Sequence, residues 1–254
     1  MPNKKDNTKI YALLAAHSYP KRRMEETNET SRRYQIYYKN TRKVNLKSNL
    51  LKDYKKVPEL TTSKYVTYVN NVDKSVVMSI RGTDLVQIEE NDIYTDVLIY
   101  FNKHKSRNVY KTSYANLKKI YKKYPNHKVI LVGHSLGGRI CIDLLDSNLG
   151  EKLYEVHVFN SATLRVNLYK SAICNNGNIK NMTKKNISKK NIEFCNKRNK
   201  LHINIVNNDI ISILGLGEAA KTKKVHPKKK YSNENFIGKK KKIGKSHSIM
   251  NFVY

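Results

Sequence analysis

A short apolar run, Val129-Ile130-Leu131-Val132, leads directly into Gly133-His134-Ser135-Leu136-Gly137-Gly138. A chain written this way has few options for its next turn. The pattern is G-x-S-x-G, the nucleophile elbow, in which a serine sits on a sharp strand-to-helix turn with its hydroxyl exposed. The glycines answer a steric need. The turn strains the backbone at the serine, and side chains at the flanking positions would collide where strand and helix cross. Lys128 to Val132 reads as the buried strand, and Ile140, Cys141, Leu144 and Leu145 fall at helical spacing after the turn. In that geometry the Leu136 N–H points toward a substrate oxyanion.

The flanking sequence repeats the strand–helix alternation. Tyr65–Val69 and Ser75–Ile80 read as strands joined by a turn over Asn70–Lys74, a hairpin signal. Ile93–Phe101 is a further strand candidate. Tyr110, Tyr114, Leu117, Ile120, Tyr121 and Tyr124 share one helical face, and Pro125 ends that helix. Glu155–Asn160 and Leu201–Val206 complete the strands. This alternation predicts an α/β layered fold with a mainly parallel sheet flanked by helices.

At 254 residues one domain, residues 1–254, is expected, with a charged, helix-prone segment over 1–58. Two Lys/Asn-rich stretches, near 175–200 and 221–245, read as loops or insertions. The second carries Lys228-Lys229-Lys230 and Lys239-Lys240-Lys241-Lys242, and reads as a solvated loop, with a nuclear-import signal or polyanion patch as alternatives. Fifty Lys+Arg against twenty Asp+Glu give a net charge of +30, which favours anionic membrane surfaces, nucleic acid or acidic proteins as neighbours. No helix-turn-helix, RRM or zinc-finger signature accompanies the charge, so nucleic acid is not the expected partner. Cys141, Cys174 and Cys195 show neither a disulfide framework nor metal-ligand spacing, and no cofactor or metal is expected. No apolar run is long enough to span a membrane. Ile10 to Ala16, after Lys4 and Lys5, mimics a short signal peptide, but the intruding Asp6, Asn7 and Thr8 favour an amphipathic helix. A cytoplasmic or membrane-peripheral location is the working expectation, with secretion left open.

A serine hydroxyl is a poor nucleophile at neutral pH and needs a histidine to take its proton and an acid to orient that histidine. In α/β-hydrolases these follow in the order Ser, Asp/Glu, His. Asp209 ends the strand-like Ile203-Asn204-Ile205-Val206 and is the preferred acid, with Glu218 as fallback. Asp143 and Asp146 lie too close to the elbow. His247 is the preferred base and His226 the runner-up, while His134 sits inside the elbow and His202 precedes the acid. A tetrahedral oxyanion needs at least two fixed donors. Leu136 N–H supplies one. Thr83, in Ile80-Arg81-Gly82-Thr83-Asp84 directly after a strand, offers its N–H and hydroxyl.

Together these segments resemble the class 3 (fungal-type) lipases of the α/β-hydrolase superfamily. The matching residues are Ile80-Arg81-Gly82-Thr83, Asp92 with Asp96, the elbow, Val158-Phe159-Asn160-Ser161, Val206-Asn207-Asn208-Asp209-Ile210-Ile211 and His247. Order and rough spacing hold from about residue 60 to the C-terminus, and Ala12–Tyr19 is similar to the family's N-terminal helix. The resemblance implies an α/β-hydrolase fold and hydrolysis of acyl esters of glycerolipids or phospholipids. It implies Ser135 as nucleophile, Asp209 as acid, His247 as base, and Thr83 with Leu136 as oxyanion hole. Leu85–Asn91 would be the lid, with Leu85, Val86 and Ile88 as lid and substrate-binding residues; it departs from the family in being short, which argues against strong interfacial activation. Two positions depart from the pattern: Arg139 follows the elbow glycines where a small residue is usual, facing solvent or crowding the helix start, and Ile93 replaces a tryptophan after the lid. The competing readings are a catalytically inactive hydrolase-fold protein that binds lipid or a polyanion, and a polyanion binder resting on charge alone.

Overall fold

The computed structural model describes residues 7–19, 49–82, 108–161, 174–175, 178–179, 189–206 and 221–225. Helix α1 spans Thr8–His17. Strands β1 (Tyr54–Lys56), β2 (Tyr65–Asn70) and β3 (Ser75–Ile80) follow. Helix α2 spans Asn108–Lys123, β4 Lys128–His134, α3 Leu136–Asp146 and β5 Glu155–Phe159. The two-residue strands β6 (Cys174–Asn175) and β7 (Asn178–Ile179) precede α4 (Lys189–Arg198), β8 (Leu201–Val206) and β9 (Lys221–Val225).

Among the described residues the main sheet has seven strands in the order β1-β2-β3-β4-β5-β8-β9. The pairs β1–β2 and β2–β3 are antiparallel; every pair from β3 to β9 is parallel. The hairpin between β2 and β3 turns where Asn70 Oδ1 accepts the N–H groups of Val72 (3.0 Å) and Asp73 (3.1 Å), and Lys74 takes φ 47° to close it. The asparagine side chain thus mimics a backbone turn, the physical basis of the turn signal in the sequence.

Successive side chains on each strand go to opposite faces, so the sheet builds two cores. Val76, Met78, Ile80, Val129, Leu131, Val156 and Val158 pack with Leu117 and Ile120 of α2 and with Ile140, Leu144 and Leu145 of α3. Val66, Tyr68, Val77, Ile130, Val132 and Phe159 pack on the other face against α1. Central strands covered on both faces read as unbroken apolar runs, and β4 does so from Val129 to Val132.

Four expectations need correction. Helix α1 is not amphipathic: Tyr11 through Ala16 are all buried, so it is apolar around its circumference, as a core helix must be. Ser79 Oγ donates to the Leu14 carbonyl (3.0 Å), tying α1 to β3. The helix-prone 1–58 segment also contains the extended β1. The stretch near 175–200 holds α4 rather than only loop. Arg198 grips Asp146 at the end of α3 through two bonds (2.8 and 3.1 Å), and Lys197 Nζ donates to the Ser147 carbonyl (3.2 Å). Residues 221–225, read as loop, add the parallel strand β9 beside β8. Composition missed both because lysine-rich segments score as solvated surface, whereas here ion pairs and backbone pairing hold them.

The cysteines also divide. Cys195 is disulfide-bonded, against the expectation of no bridge, while Cys141 is free and fully buried. Burial strongly raises the Cys141 thiol pKa, because an apolar surround disfavours the thiolate. Cys141 is therefore expected to resist a maleimide in the native protein and to be alkylated once urea unfolds the chain, as read by peptide mass spectrometry. Native labelling at the rate of an exposed thiol would contradict the packing.

Candidate active site

Strand β4 ends at His134, and α3 begins at Leu136. Ser135, between them, takes φ 55° and ψ −124°. A non-glycine residue with positive φ is strained by about 1–3 kcal/mol and persists only where its surroundings hold it. Here they do. Ser135 N–H donates to the Phe159 carbonyl at the end of β5 (3.0 Å), and the Ser135 carbonyl accepts from Arg139 N–H (3.3 Å) in the first turn of α3. Ser135 occupies the N-cap position, yet its side chain makes no capping hydrogen bond. The hydroxyl is thus left for other work, at the partly positive end of a helix whose first N–H groups have no intrahelical acceptor. Leu136 N–H is the first of these.

Backbone crossings place this turn. A Cβ at Gly133 would come within 2.5 Å of the Gly137 carbonyl group, and a Cβ at Gly137 would fall on the Ile80 carbonyl oxygen at the end of β3. Only hydrogen fits at either position, so α3 starts flush against β3 and β4. A Cβ at Gly82 would lie 3.0 Å from Ser135 Cβ. The chain leaving β3 therefore passes directly beside the serine.

Tyr19 joins these pieces. Gly82 N–H donates to the Tyr19 hydroxyl (3.1 Å), and that hydroxyl lies 2.6 Å from His134 Nδ1. One phenol from the end of α1 thus links the loop after β3 to the residue preceding Ser135. The family resemblance marked Ala12–Tyr19 as similar to an N-terminal helix but assigned Tyr19 no task, because its partners lie 63 and 115 residues away. His134 is buried and engaged with Tyr19, in line with its placement inside the elbow.

Of the residues singled out in the sequence, Ser135 and Leu136 stand at the β4–α3 junction as described. Thr83, Leu85, Val86, Ile88, Asp92, Asp96, Asp209, Glu218, His226 and His247 lie outside the described residues. A sequence model of the class 3 lipases matches residues 60–201, more than half of the chain. The chain belongs to the class 3 lipase family. It is accordingly a lipase-like ester hydrolase with an α/β-hydrolase fold, and the strand order above is the form this member takes.

Solved structures of similar outline include three lipases. Lip2 lipase from Yarrowia lipolytica is 16% identical at a TM-score of 0.45, over 90% of this chain and 80% of that one. Lipase II from Rhizopus niveus is 13% identical at a TM-score of 0.39, over 82% and 75%. A triacylglycerol lipase from Penicillium expansum is 14% identical at a TM-score of 0.37, over 69% and 71%. Among curated proteins none matches the sequence. The family assignment rests on the sequence match.

The unusual Arg139 of this lipase neither faces solvent nor crowds the helix. It is buried, and its guanidinium donates to both carboxylate oxygens of Asp143 one turn on, Nε to Oδ2 (3.2 Å) and Nη2 to Oδ1 (3.0 Å). The fork geometry of arginine suits such a two-point pair. Removing one member of a buried pair strands a charge and costs roughly 3–5 kcal/mol, whereas replacing both with apolar groups is often near neutral. Arg139→Met is therefore expected to be strongly destabilising in urea unfolding. The double variant Arg139→Met/Asp143→Leu should recover most of that loss.

Proposed function

We propose that this lipase is a serine carboxylester hydrolase that cleaves acyl esters of glycerolipids through Ser135, His247 and Asp209. The observation that carries the reading is Ser135 itself, held at φ 55° on the strand–helix turn with its hydroxyl unused as a cap. His247, oriented by Asp209, takes the Ser135 proton as Oγ attacks the acyl carbonyl carbon. The resulting oxyanion is held by Leu136 N–H and by Thr83, the residue next in sequence to Gly82 beside the serine. Collapse expels the alcohol, which receives its proton from His247, and leaves an acyl-serine. Water then gives a proton to His247 and attacks the acyl carbonyl. Collapse releases the fatty acid and returns the proton to Ser135.

The topology supports the choice of acid. Parallel strands β3, β4, β5 and β8 end on the same side of the sheet, where α/β folds carry their functional groups. Asp209 follows Val206, the last residue of β8, in the sequence. Leu85, Val86 and Ile88 are assigned to the acyl-chain side of the site. The +30 charge favours docking on anionic lipid, at about 1 kcal/mol per Lys or Arg near the surface.

A fluorophosphonate is expected to label Ser135, and Ser135→Ala is expected to lower kcat for a short-chain ester by at least about 10⁴-fold with an unchanged melting temperature. Hydrolysis that persists in this variant would remove Ser135 from the nucleophile's role. Assayed against triacylglycerols, diacylglycerols and phospholipids, with Ser135→Ala as blank, the enzyme's preferred head group separates a lipase from a phospholipase A1.

Tyr19 has a positioning role in this scheme. Tyr19→Phe keeps the ring and removes the hydroxyl, leaving Gly82 N–H without its acceptor, a loss of about 1–3 kcal/mol. Displacement of the loop should then lower kcat roughly tenfold or more with little change in KM. A fall in stability with kcat intact would make Tyr19 a purely structural residue.

A further inference from the structure

On the α1 side of the sheet, away from the elbow, three donor side chains converge on two neighbouring strands. Glu155 and His157 lie two residues apart on β5 and so share a face. His202 on β8 is the register partner of His157. His157 Nε2 is 3.1 Å from Glu155 Oε2, and His202 Nε2 is 3.9 Å from Glu155 Oε1. The three ligating atoms all fall within 4.8 Å of one another. Glu155 and His157 are buried, while the His202 side chain is 23% exposed and forms the solvent-facing edge of the group. Tyr11 of α1 covers His157, ring centroid to ring centroid 4.3 Å.

We propose that Glu155, His157 and His202 form a structural binding site for a divalent transition-metal ion of the zinc class. Two imidazoles and one carboxylate are a borderline-soft donor set of the kind that binds zinc, with the remaining position left to water. Zinc holds N and O ligands at about 2.0–2.2 Å, so tetrahedral ligand atoms stand about 3.3 Å apart. The separations of 3.1 and 3.9 Å bracket that value. The carboxylate already spans both imidazoles, offering one oxygen to each. The two rings stack in parallel, centroids 4.3 Å apart and planes 4° from parallel. Nitrogen lone pairs in parallel planes do not meet, so one ring must turn about its Cβ–Cγ bond to share an ion. His202, on the solvent edge, has the room to do so and marks the entry path. The ion would join β5 to β8 on the face opposite α3. It plays no part in the ester chemistry proposed for Ser135: His157 pairs in register with Val132, three residues before the serine.

The test uses the full chain, stripped with EDTA and exchanged into chelator-free buffer. Titration of Zn²⁺ against a chromogenic chelator is expected to give one tightly bound equivalent per chain. His202→Asn and Glu155→Gln should each weaken that equivalent by at least about 100-fold, the upper end of what losing even an outer-shell partner does. Zn²⁺ at a hundredfold excess over Kd should raise the melting temperature by roughly 5–10 °C in the unmodified chain and leave both variants unmoved. Melts in EDTA establish that each variant folds. No tight equivalent in the unmodified chain overturns the proposal, irrespective of the variants. An equivalent that both folded variants retain places zinc on other histidines and overturns it equally.

Discussion

The start of α3 touches β3 and β4 backbone to backbone, and the rest of the site depends on that contact. Gly137 lies against the Ile80 carbonyl and Gly133 against Gly137, with no space for a methyl group at either position. Because the helix begins this close, its first N–H groups and its dipole are delivered at the carboxyl end of the sheet. Because it begins there, Ser135 must turn within one residue, and the positive φ follows. The Phe159 carbonyl and the Arg139 N–H then hold a conformation that an isolated peptide would leave. Strain at the serine is thus a consequence of packing two apolar elements at the shortest distance.

The two faces of the sheet do different work. The face against α2 and α3 is mostly aliphatic, with one buried polar cluster in which Thr67 Oγ1 (2.5 Å) and Asn116 Nδ2 (3.1 Å) both donate to the Leu60 carbonyl. The face against α1 mixes apolar side chains with buried polar ones: Ser79 bonded to Leu14, Glu155 with His157, and Asn204 Nδ2 donating to the Val158 carbonyl (3.3 Å). Burying polar groups is unfavourable unless each finds a partner, so these residues demand a defined register between strands and a defined seat for α1. Tyr19, at the end of that helix, carries the seat's precision to Gly82 and His134. The N-terminal helix therefore closes one core and also steadies the loop beside the serine.

Local pattern was sufficient for much of this. Runs such as Val129–Val132, the Asn70–Lys74 turn and the 3.6-residue spacing of Tyr114, Leu117 and Tyr121 depend on neighbours within a few positions, so β2–β5, β8, the hairpin and α2 were legible; the candidate strand Ile93–Phe101 lies outside the described residues. The elbow was legible too, since its glycines and serine are contiguous. Lysine-rich α4 and β9 were not. Their stability comes from Arg198 reaching Asp146 and from backbone pairing with β8, and neither leaves a mark in composition. Arg139 is a different case: its partner Asp143 lies one turn along the same helix, but only packing shows that the pair is buried.

From the sequence alone came the strand–helix alternation, the family resemblance, and the elbow Gly133–Gly138 that holds Ser135 and Leu136. These are encoded by residues adjacent in the chain or repeated at fixed periods. Tertiary structure alone decided that α1 is a core helix, that Tyr19 spans Gly82 and His134, that Arg139 is buried on Asp143, and that His157 meets His202 across two strands. Each of these is a meeting of side chains brought together by the folded chain, and several join residues far apart in sequence. Spacing along a sequence constrains the shape of an element, but only the register and packing of elements fix which side chains share a site.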